Sequence, residues 1–247
     1  MIILKSEQEI ERIRAAGRIV KDVLERLKNM VAPGVTTKQL DKIAHDYIFS
    51  KNAFPAFLGY RGFPASICTS KNFEVVHGMP NNIPLVNGDI ISIDIGVLLN
   101  SYYADAAITL PVGNISKEAA NIIRIAKKAL DESIKQAVSG NRLFDISNKI
   151  QTITEKAGYS VVRDFVGHGI GSNMHEEPQI PNFGERGKGP RLKKGMVFCL
   201  EPMINVGGYE VEVLADNWTV VTKDRSLSAH FEHTILITEK NPEILTI

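Results

Sequence analysis

Asp94 and Asp105 lie in the run D-I-I-S-I-D-I-G-V-L-L-N-S-Y-Y-A-D-A-A-I-T, residues 89–109, which is otherwise apolar and β-branched. Residues of that kind favour pleated strands. A short break at Leu99-Asn100 divides the run in two. If those two residues form a two-residue hairpin loop, Asp94 stands directly opposite Asp105. Facing residues hold their Cβ atoms roughly 4.5–5.5 Å apart. Two carboxylates that close repel each other unless one is protonated or a cation bridges them. The alternative is a pair of solvated strand ends.

The same pattern recurs downstream. His168 lies in V-G-H-G-I-G, where the flanking glycines permit close backbone approach. Glu201 ends the apolar run V-F-C-L-E, and Glu232 begins E-H-T-I-L-I. His77, in V-V-H-G-M-P, and His175, in M-H-E-E-P, also sit at strand ends beside Gly or Pro. Taken singly each is unremarkable: a strand-end Glu is usually solvated, and a His is usually a satisfied core or surface residue. The recurrence is the signal, because strand ends converge in sheet folds. If they meet, Asp94, Asp105, His168, Glu201 and Glu232 supply four carboxylates and one imidazole. Such oxygen-rich ligation suits Mn, Fe or Co at least as well as Zn. Five protein ligands exceed what one open catalytic ion needs. Bridging carboxylates can hold two ions about 3.5–4 Å apart, an arrangement that serves hydrolysis.

The backbone around the two later histidines is not helical by this reading. Gly167, Gly169 and Gly171 weaken any helix there, and Pro178 ends one that starts later. Glu176 and Glu177 follow His175 closely enough to orient its ring or raise its pKa.

The surrounding elements alternate in type. Ser6 with Glu9, and Thr36 with Gln39, match capping boxes ahead of two amphipathic helices. Probable strand residues follow at Ile67 to Val76, and then the hairpin. The second half reruns this order: a long helix from Ser116 to Val138, a shorter one from Asp145 to Ala157, then strands. The segments Ala32 to Ile43 and Val138 to Ile150 occupy matching places. That implies two related halves, or a coincidence between two common arrangements. Mixed elements with antiparallel strands favour the α+β class.

Composition narrows the functional classes. The chain has 247 residues and a net charge of +1, which gives no global argument for nucleic-acid or membrane binding. The apolar start, Met1 to Leu4, is too short for a signal-peptide core, and no stretch approaches a membrane span. Cys68 and Cys199, far apart, form neither a disulfide framework nor a zinc-finger spacing, so a reducing cytosol is the simplest home. The Gly- and Lys/Arg-rich stretch from Gly184 to Gly195 reads as an exposed loop, solvated in the first reading and touching RNA or a partner in the second.

Over its whole length the sequence resembles methionine aminopeptidase, type I. The resemblance rests on I-L-K-S-E-Q-E-I-E-R-I-R-A-A-G near the start, G-Y-R-G-F-P-A-S-I-C at Gly59, V-V-H-G-M-P at Val75 and D-I-G-V-L-L-N-S-Y-Y-A-D at Asp94. It continues in G-H-G-I-G at Gly167, M-H-E-E-P-Q-I-P at Met174, M-V-F-C-L-E-P-M-I at Met196 and A-H-F-E-H-T at Ala229. It implies a pita-bread (creatinase/aminopeptidase) α+β fold: one catalytic domain over 1–247, with pseudo-symmetric halves of about 1–110 and 111–247 around a curved, mainly antiparallel sheet. It implies two divalent ions (Co, Mn, Fe or Zn) held by Asp94, Asp105, His168, Glu201 and Glu232, with Asp105 and Glu232 bridging. Glu201 would also shuttle a proton. His175 would contact the scissile carbonyl and His77 the amide on its far side. The methionine pocket maps onto Phe57, Tyr60, Phe63, Cys68, Met174 and Trp218. Three positions depart from the family's usual pattern. Met174 replaces a common Phe, Phe57 a smaller residue, and Asn100-Ser101 a typical Asp-Gly.

The implied activity is removal of N-terminal methionine from nascent chains by a cytoplasmic monomer, with transient ribosome contact possible through the basic loop. No membrane contact and no direct nucleic-acid readout is expected. Aminopeptidase P, prolidase and creatinase resemble the site too, but usually carry an extra N-terminal domain. Non-catalytic pita-bread binding modules have lost ligands, and all five positions are present here.

Overall fold

The computed structural model describes residues 1–247. Each half of the chain begins with two capped helices. The Glu9 carboxylate accepts from the Ser6 N–H at 2.8 Å while Ser6 Oγ accepts from the Glu9 N–H, which fixes the start of α1 (Glu7–Lys28). Thr36 and Gln39 do the same for α2 (Thr37–Ser50). Ser116 caps α3 (Lys117–Ile134). This helix stops short of the expected Val138 because the N–H groups of Gln136 and Ala137 turn back to Ser133 and Ile134 in tighter bonds. The fourth helix, α4 (Leu143–Lys156), starts before the expected Asp145. The Asp145 carboxylate reaches back to the Arg142 N–H at 2.8 Å, which makes Asp145 the third helical residue.

The first half contributes β1 (Phe54–Pro55), β2 (Cys68–Lys71), β3 (Glu74–Val76), β4 (Ile90–Leu99) and β5 (Tyr102–Pro111). The second contributes β6 (Ser160–Val161), β7 (Gly167–Gly169), β8 (Glu176–Ile180), β9 (Val197–Leu200), β10 (Met203–Asn205), β11 (Val211–Val213), β12 (Val220–Thr222), β13 (Ser228–His230), β14 (Glu232–Leu236) and β15 (Glu243–Ile244). Nine strands form one antiparallel sheet along the path β1-β4-β5-β14-β9-β7-β8, with β2 beside β4 and β15 beside β14. The halves join where β5 pairs with β14, Ala107 against Glu232, and again where β3 pairs with β12, Val76 against Val220. This is the expected α+β pita-bread architecture.

Corresponding hydrogen bonds recur in both halves. Gly34 N–H donates to the Leu85 carbonyl, and Leu85 N–H to the Val35 carbonyl; Gly140 N–H donates to Leu192, and Leu192 N–H to Asn141. Counting on from Leu85 and from Leu192, the ninth residue is an acid in each case, Asp94 and Glu201. Two large apolar cores lie beneath the helices, and the first also draws in Ile170, Val197, Cys199, Leu236 and Leu245 of the second half. Ile91, Ile93, Ile95 and Val97 of β4 pack under α1 and α2, and Phe198, Leu200 and Ile235 pack under α3 and α4. Side chains alternate between faces along a strand. The opposite face of the sheet therefore receives Asp94 and Gly96 from β4, Cys199 from β9 with Glu201 just beyond it, and Glu232 and Thr234 from β14.

The hairpin corrects one expectation. Its loop is Asn100-Ser101, not Leu99-Asn100, and both loop residues have positive φ, +49° and +67°. A two-residue hairpin turn of this hand needs φ > 0 at both positions, which Asn tolerates and Leu does not. The register moves accordingly: Asp94 faces Ala107, and Asp105 faces Gly96. The two aspartates stay on one face as diagonal neighbours instead of opposed ones.

Candidate active site

Across the seam between the halves lies a cavity of about 150 Å³. It is smaller than the usual drug-sized ligand pocket of roughly 300–1,000 Å³ and suits a single side chain. Every residue singled out from the sequence lines it, and Arg61 and Val76 line it as well. One end is acidic and the other is apolar and aromatic.

At the acidic end, donor atoms of Asp105, His168, Glu232 and Cys199 all lie within 4.8 Å of one another. Glu201 flanks this group, its Oε1 3.5 Å from His168 Nε2. The His168 Nδ1–H donates to the Gly169 carbonyl at 2.9 Å, so the Nε2 lone pair is free to face the carboxylates. Burial holds His168 neutral, with its pKa pushed down to about 3. The acids are driven the other way. Burial raises Asp105 to about 7. It also raises Asp94, Glu201 and Glu232 well above the carboxylate range, and neighbouring carboxylates add to each of these three shifts. Asp94 Oδ1, Asp105 Oδ1 and Glu232 Oε1 are buried with no hydrogen-bond partner. Buried polar atoms are nearly always satisfied, and buried charges are paired or coordinate metals. Orphaned oxygens, mutual repulsion and a neutral imidazole are together what a divalent cation relieves, so the donor set fits a metal.

The sequence reading used Cys199 only as a redox clue, whereas the structure places its thiol on the floor of this cluster. Cys199 faces Thr234 across β9 and β14, its Sγ 3.6 Å from Thr234 Oγ1. Burial, then Glu232 and Asp105, push the thiol's pKa well up, which keeps it protonated. The two-residue spacing to Glu201 on one strand was the available signal.

His77 has φ +60°, a conformation uncommon for residues with a side chain. Gly78 makes it possible: its N–H donates to Ser70 Oγ at 3.1 Å, and a Cβ there would stand 2.3 Å from the Thr69 carbonyl oxygen. The His77 ring meets Phe165 and Trp218 edge-on. The His175 ring lies 4.3 Å from that of His168 and stacks on Tyr60, whose hydroxyl is 2.8 Å from His175 Nδ1. The expected rise of the His175 pKa from Glu176 is overturned. Glu176 turns away to Lys5, and burial, followed by the Arg61 charge, lowers the His175 pKa.

At the apolar end Phe63 meets Trp218 edge-to-face at 5.1 Å, with Cys68 packed beside them. The two unusual positions prove to be neighbours. A Cβ on Gly96 would stand 2.8 Å from Phe57 Cε1 and 3.1 Å from Met174 Cε. A larger residue at 57 thus leans over the same spot as a slender, flexible one at 174. Gly96 makes room for both, and a lone glycine inside an apolar strand is the mark of such close approach.

The profile of metallopeptidase family M24 matches residues 11–239. A methionine aminopeptidase of Clostridium perfringens is 53% identical over 247 residues, covering 100% of this chain and 99% of that one. The chain belongs to metallopeptidase family M24, among the methionine aminopeptidases. A crystal structure of methionine aminopeptidase from Rickettsia prowazekii superimposes with a TM-score of 0.98 at 45% identity, covering 100% of both chains. The prolidase from Pyrococcus horikoshii shares the M24 fold alone. It is 22% identical with a TM-score of 0.79, and this chain covers 64% of its length. No helix of this M24 chain is long and apolar enough to cross a membrane.

Proposed function

We propose that this protein removes the N-terminal methionine from peptides and nascent proteins, using two divalent ions held by Asp94, Asp105, His168, Glu201 and Glu232. The observation that carries the reading is the set of orphaned, buried carboxylate oxygens lining one end of a slot sized for one side chain. Such ions supply Lewis acidity and bring the pKa of a bound water toward neutrality. The remaining work belongs to the chain. Phe57, Phe63, Cys68, Met174 and Trp218 hold the first side chain, and thioether–aromatic contact favours methionine there. Tyr60 donating to His175 Nδ1 leaves the proton on Nε2, aimed at the scissile carbonyl oxygen as charge develops on it. Glu201, buried and with a raised pKa, is suited to pass a proton to the leaving amine. His77, held in its strained conformation, contacts the amide on the far side.

As an enzyme of nascent chains the protein belongs in the cytoplasm, and we place it there as a monomer. The exposed side chains of Arg186, Lys188, Arg191, Lys193 and Lys194 form the surface for transient ribosome contact. The test is release of free methionine from Met-Ala-Ser with metal added and then chelated, beside elemental analysis of bound metal. Activity on an X-Pro dipeptide with none on Met-Ala-Ser would overturn the reading.

A further inference from the structure

The turn that presents Met174 and His175 is fastened from the far end of the chain. Between β7 and β8 the backbone passes through residues 170–175. Glu176 closes that turn, its Oε1 accepting from the Asn173 N–H at 3.2 Å and so spanning both side chains of interest. Its Oε2 accepts from Lys5 Nζ at 2.5 Å. Both partners are buried, their side chains 3% and 7% exposed. Lys5 is itself anchored, its N–H donating to the Gly195 carbonyl at 2.7 Å, one residue before the Ser6 cap of α1. Gly171 gives the ammonium its place. A Cβ there would stand 2.6 Å from Nζ, and the Gly171 carbonyl accepts from the Tyr103 N–H of β5 at 2.9 Å. Lys5 does not line the cavity.

A buried ion pair is weak evidence for stability, because an apolar pair of equal shape often holds as well. What the pair does fix is direction. With one oxygen on Asn173 and the other on Lys5, the Glu176 carboxylate has a single orientation, and residues 173–176 follow it. The His175 ring has one side-chain hydrogen bond of its own, to Tyr60. Its aim therefore depends on the backbone on either side.

We propose that Lys5 is a positioning residue for the reaction: through Glu176 it sets the turn that delivers His175 and Met174 to the substrate. The inference rests on the function proposed above. The pair also explains why the carboxylate next to His175 leaves that ring alone.

The test uses the metal-loaded full chain with Lys5→Met, Lys5→Arg and Glu176→Gln. Gln puts an amide donor in place of one of the two carboxylate oxygens, so either Asn173 or Lys5 loses its present acceptor, and it leaves no bare buried carboxylate should Lys5→Met fold poorly. Lys5→Met and Glu176→Gln should lower kcat on Met-Ala-Ser by about 10–100-fold, the scale of a small misplacement. KM should change less, and bound metal should stay at the wild-type level. Amide hydrogen exchange should quicken in residues 171–176 more than in α1. Lys5→Arg should recover most of kcat. Unchanged kcat and unchanged exchange in both variants overturns the proposal. So does a loss of kcat that follows loss of metal. If the wild type releases no methionine, the proposed function fails, while the exchange measurement still decides whether Lys5 holds the turn.

Discussion

Replacing Gly96 by alanine puts a methyl group where two walls of the slot meet. Gly96 faces Asp105 in the hairpin and shares its face with Asp94. The new carbon would lie 2.8 Å from Phe57 Cε1, 2.9 Å from Ala56 Cβ and 3.1 Å from Met174 Cε. Phe57 and Met174 can rotate away. Ala56 cannot, since it has no side-chain torsion and its N–H is tied to the Gly96 carbonyl at 2.9 Å. Some of the strain therefore falls on the strand itself. Overpacking of this kind costs about 1–3 kcal/mol. A chain of this size loses about 2–4 °C in thermal midpoint per kcal/mol. The rotation of Phe57 and Met174 takes room from the first side chain of the substrate. The expected loss in kcat/KM for methionine is about 10–200-fold, the range for one methylene in an apolar pocket. A peptide beginning with alanine should lose much less. The assay compares kcat/KM on Met-, norleucine- and Ala-initiated tripeptides, with bound metal measured on the same samples because Asp94 is two residues away. Wild-type kcat/KM on the methionine peptide together with an unchanged midpoint would refute the reasoning, since Phe57 and Met174 could not then bound the slot.

Met174→Ala should widen the same slot and admit leucine or phenylalanine at the first position, lowering discrimination by about 1–3 kcal/mol; an unchanged Met/Leu ratio removes Met174 from the pocket. His168→Ala should lose metal affinity and recover in part with added metal. His175→Ala should keep its metal and lose about 10²–10³ in kcat, as expected for a lost oxyanion donor; metal content and kcat on both variants would expose any reversal of these roles. Asp105→Asn should abolish metal occupancy and turnover, while raising the thermal midpoint of the metal-free protein at pH 8 by removing the buried charge that Asp105, with its pKa at about 7, carries there; full occupancy in elemental analysis would contradict it. Metal should also stabilise the protein more at pH 8 than at pH 5. Asp105, with its pKa raised to about 7, keeps in the folded metal-free state a proton that the unfolded chain releases near pH 4, so its contribution is present below that point and lost as pH rises through 7. Ions replace those protons at low pH and relieve bare repulsion at high pH. Thermal midpoints with and without metal at the two pH values test this, and an equal rise at both would count against it.

How far the sequence exposed the site depends on the range of the forces involved. The caps at Ser6–Glu9 and Thr36–Gln39 are local hydrogen bonds and stand where the residues put them. The five candidate ligands were legible because each ends or interrupts an apolar strand, and strands in one sheet must converge. The hairpin loop was misplaced by one residue, and its pairing by two, because the register turns on the φ angles of Asn100 and Ser101, which no hydrophobic pattern records. Gly96 escaped notice because what it avoids, Phe57 and Met174, comes from two other segments. Glu176 was read only against the neighbouring His175, and Lys5 only as part of the opening segment. Only folding brings them together and buries them.

The join between β5 and β14 divides the acids evenly. Asp94 and Asp105 come from the first half, Glu201 and Glu232 from the second, while Ile170, Val197, Cys199, Leu236 and Leu245 of the second half pack into the core of the first. Without cations the two pairs crowd unrelieved against each other beside the β5–β14 ladder, one of two ladders that tie the halves, the other being β3 against β12. With cations bound, the same four groups draw them together. Part of the free energy the ions release on binding therefore acts as adhesion across the seam, beside the ladders and apolar contacts the halves already share, and the seam serves as a clasp whose tightness follows the metal supply.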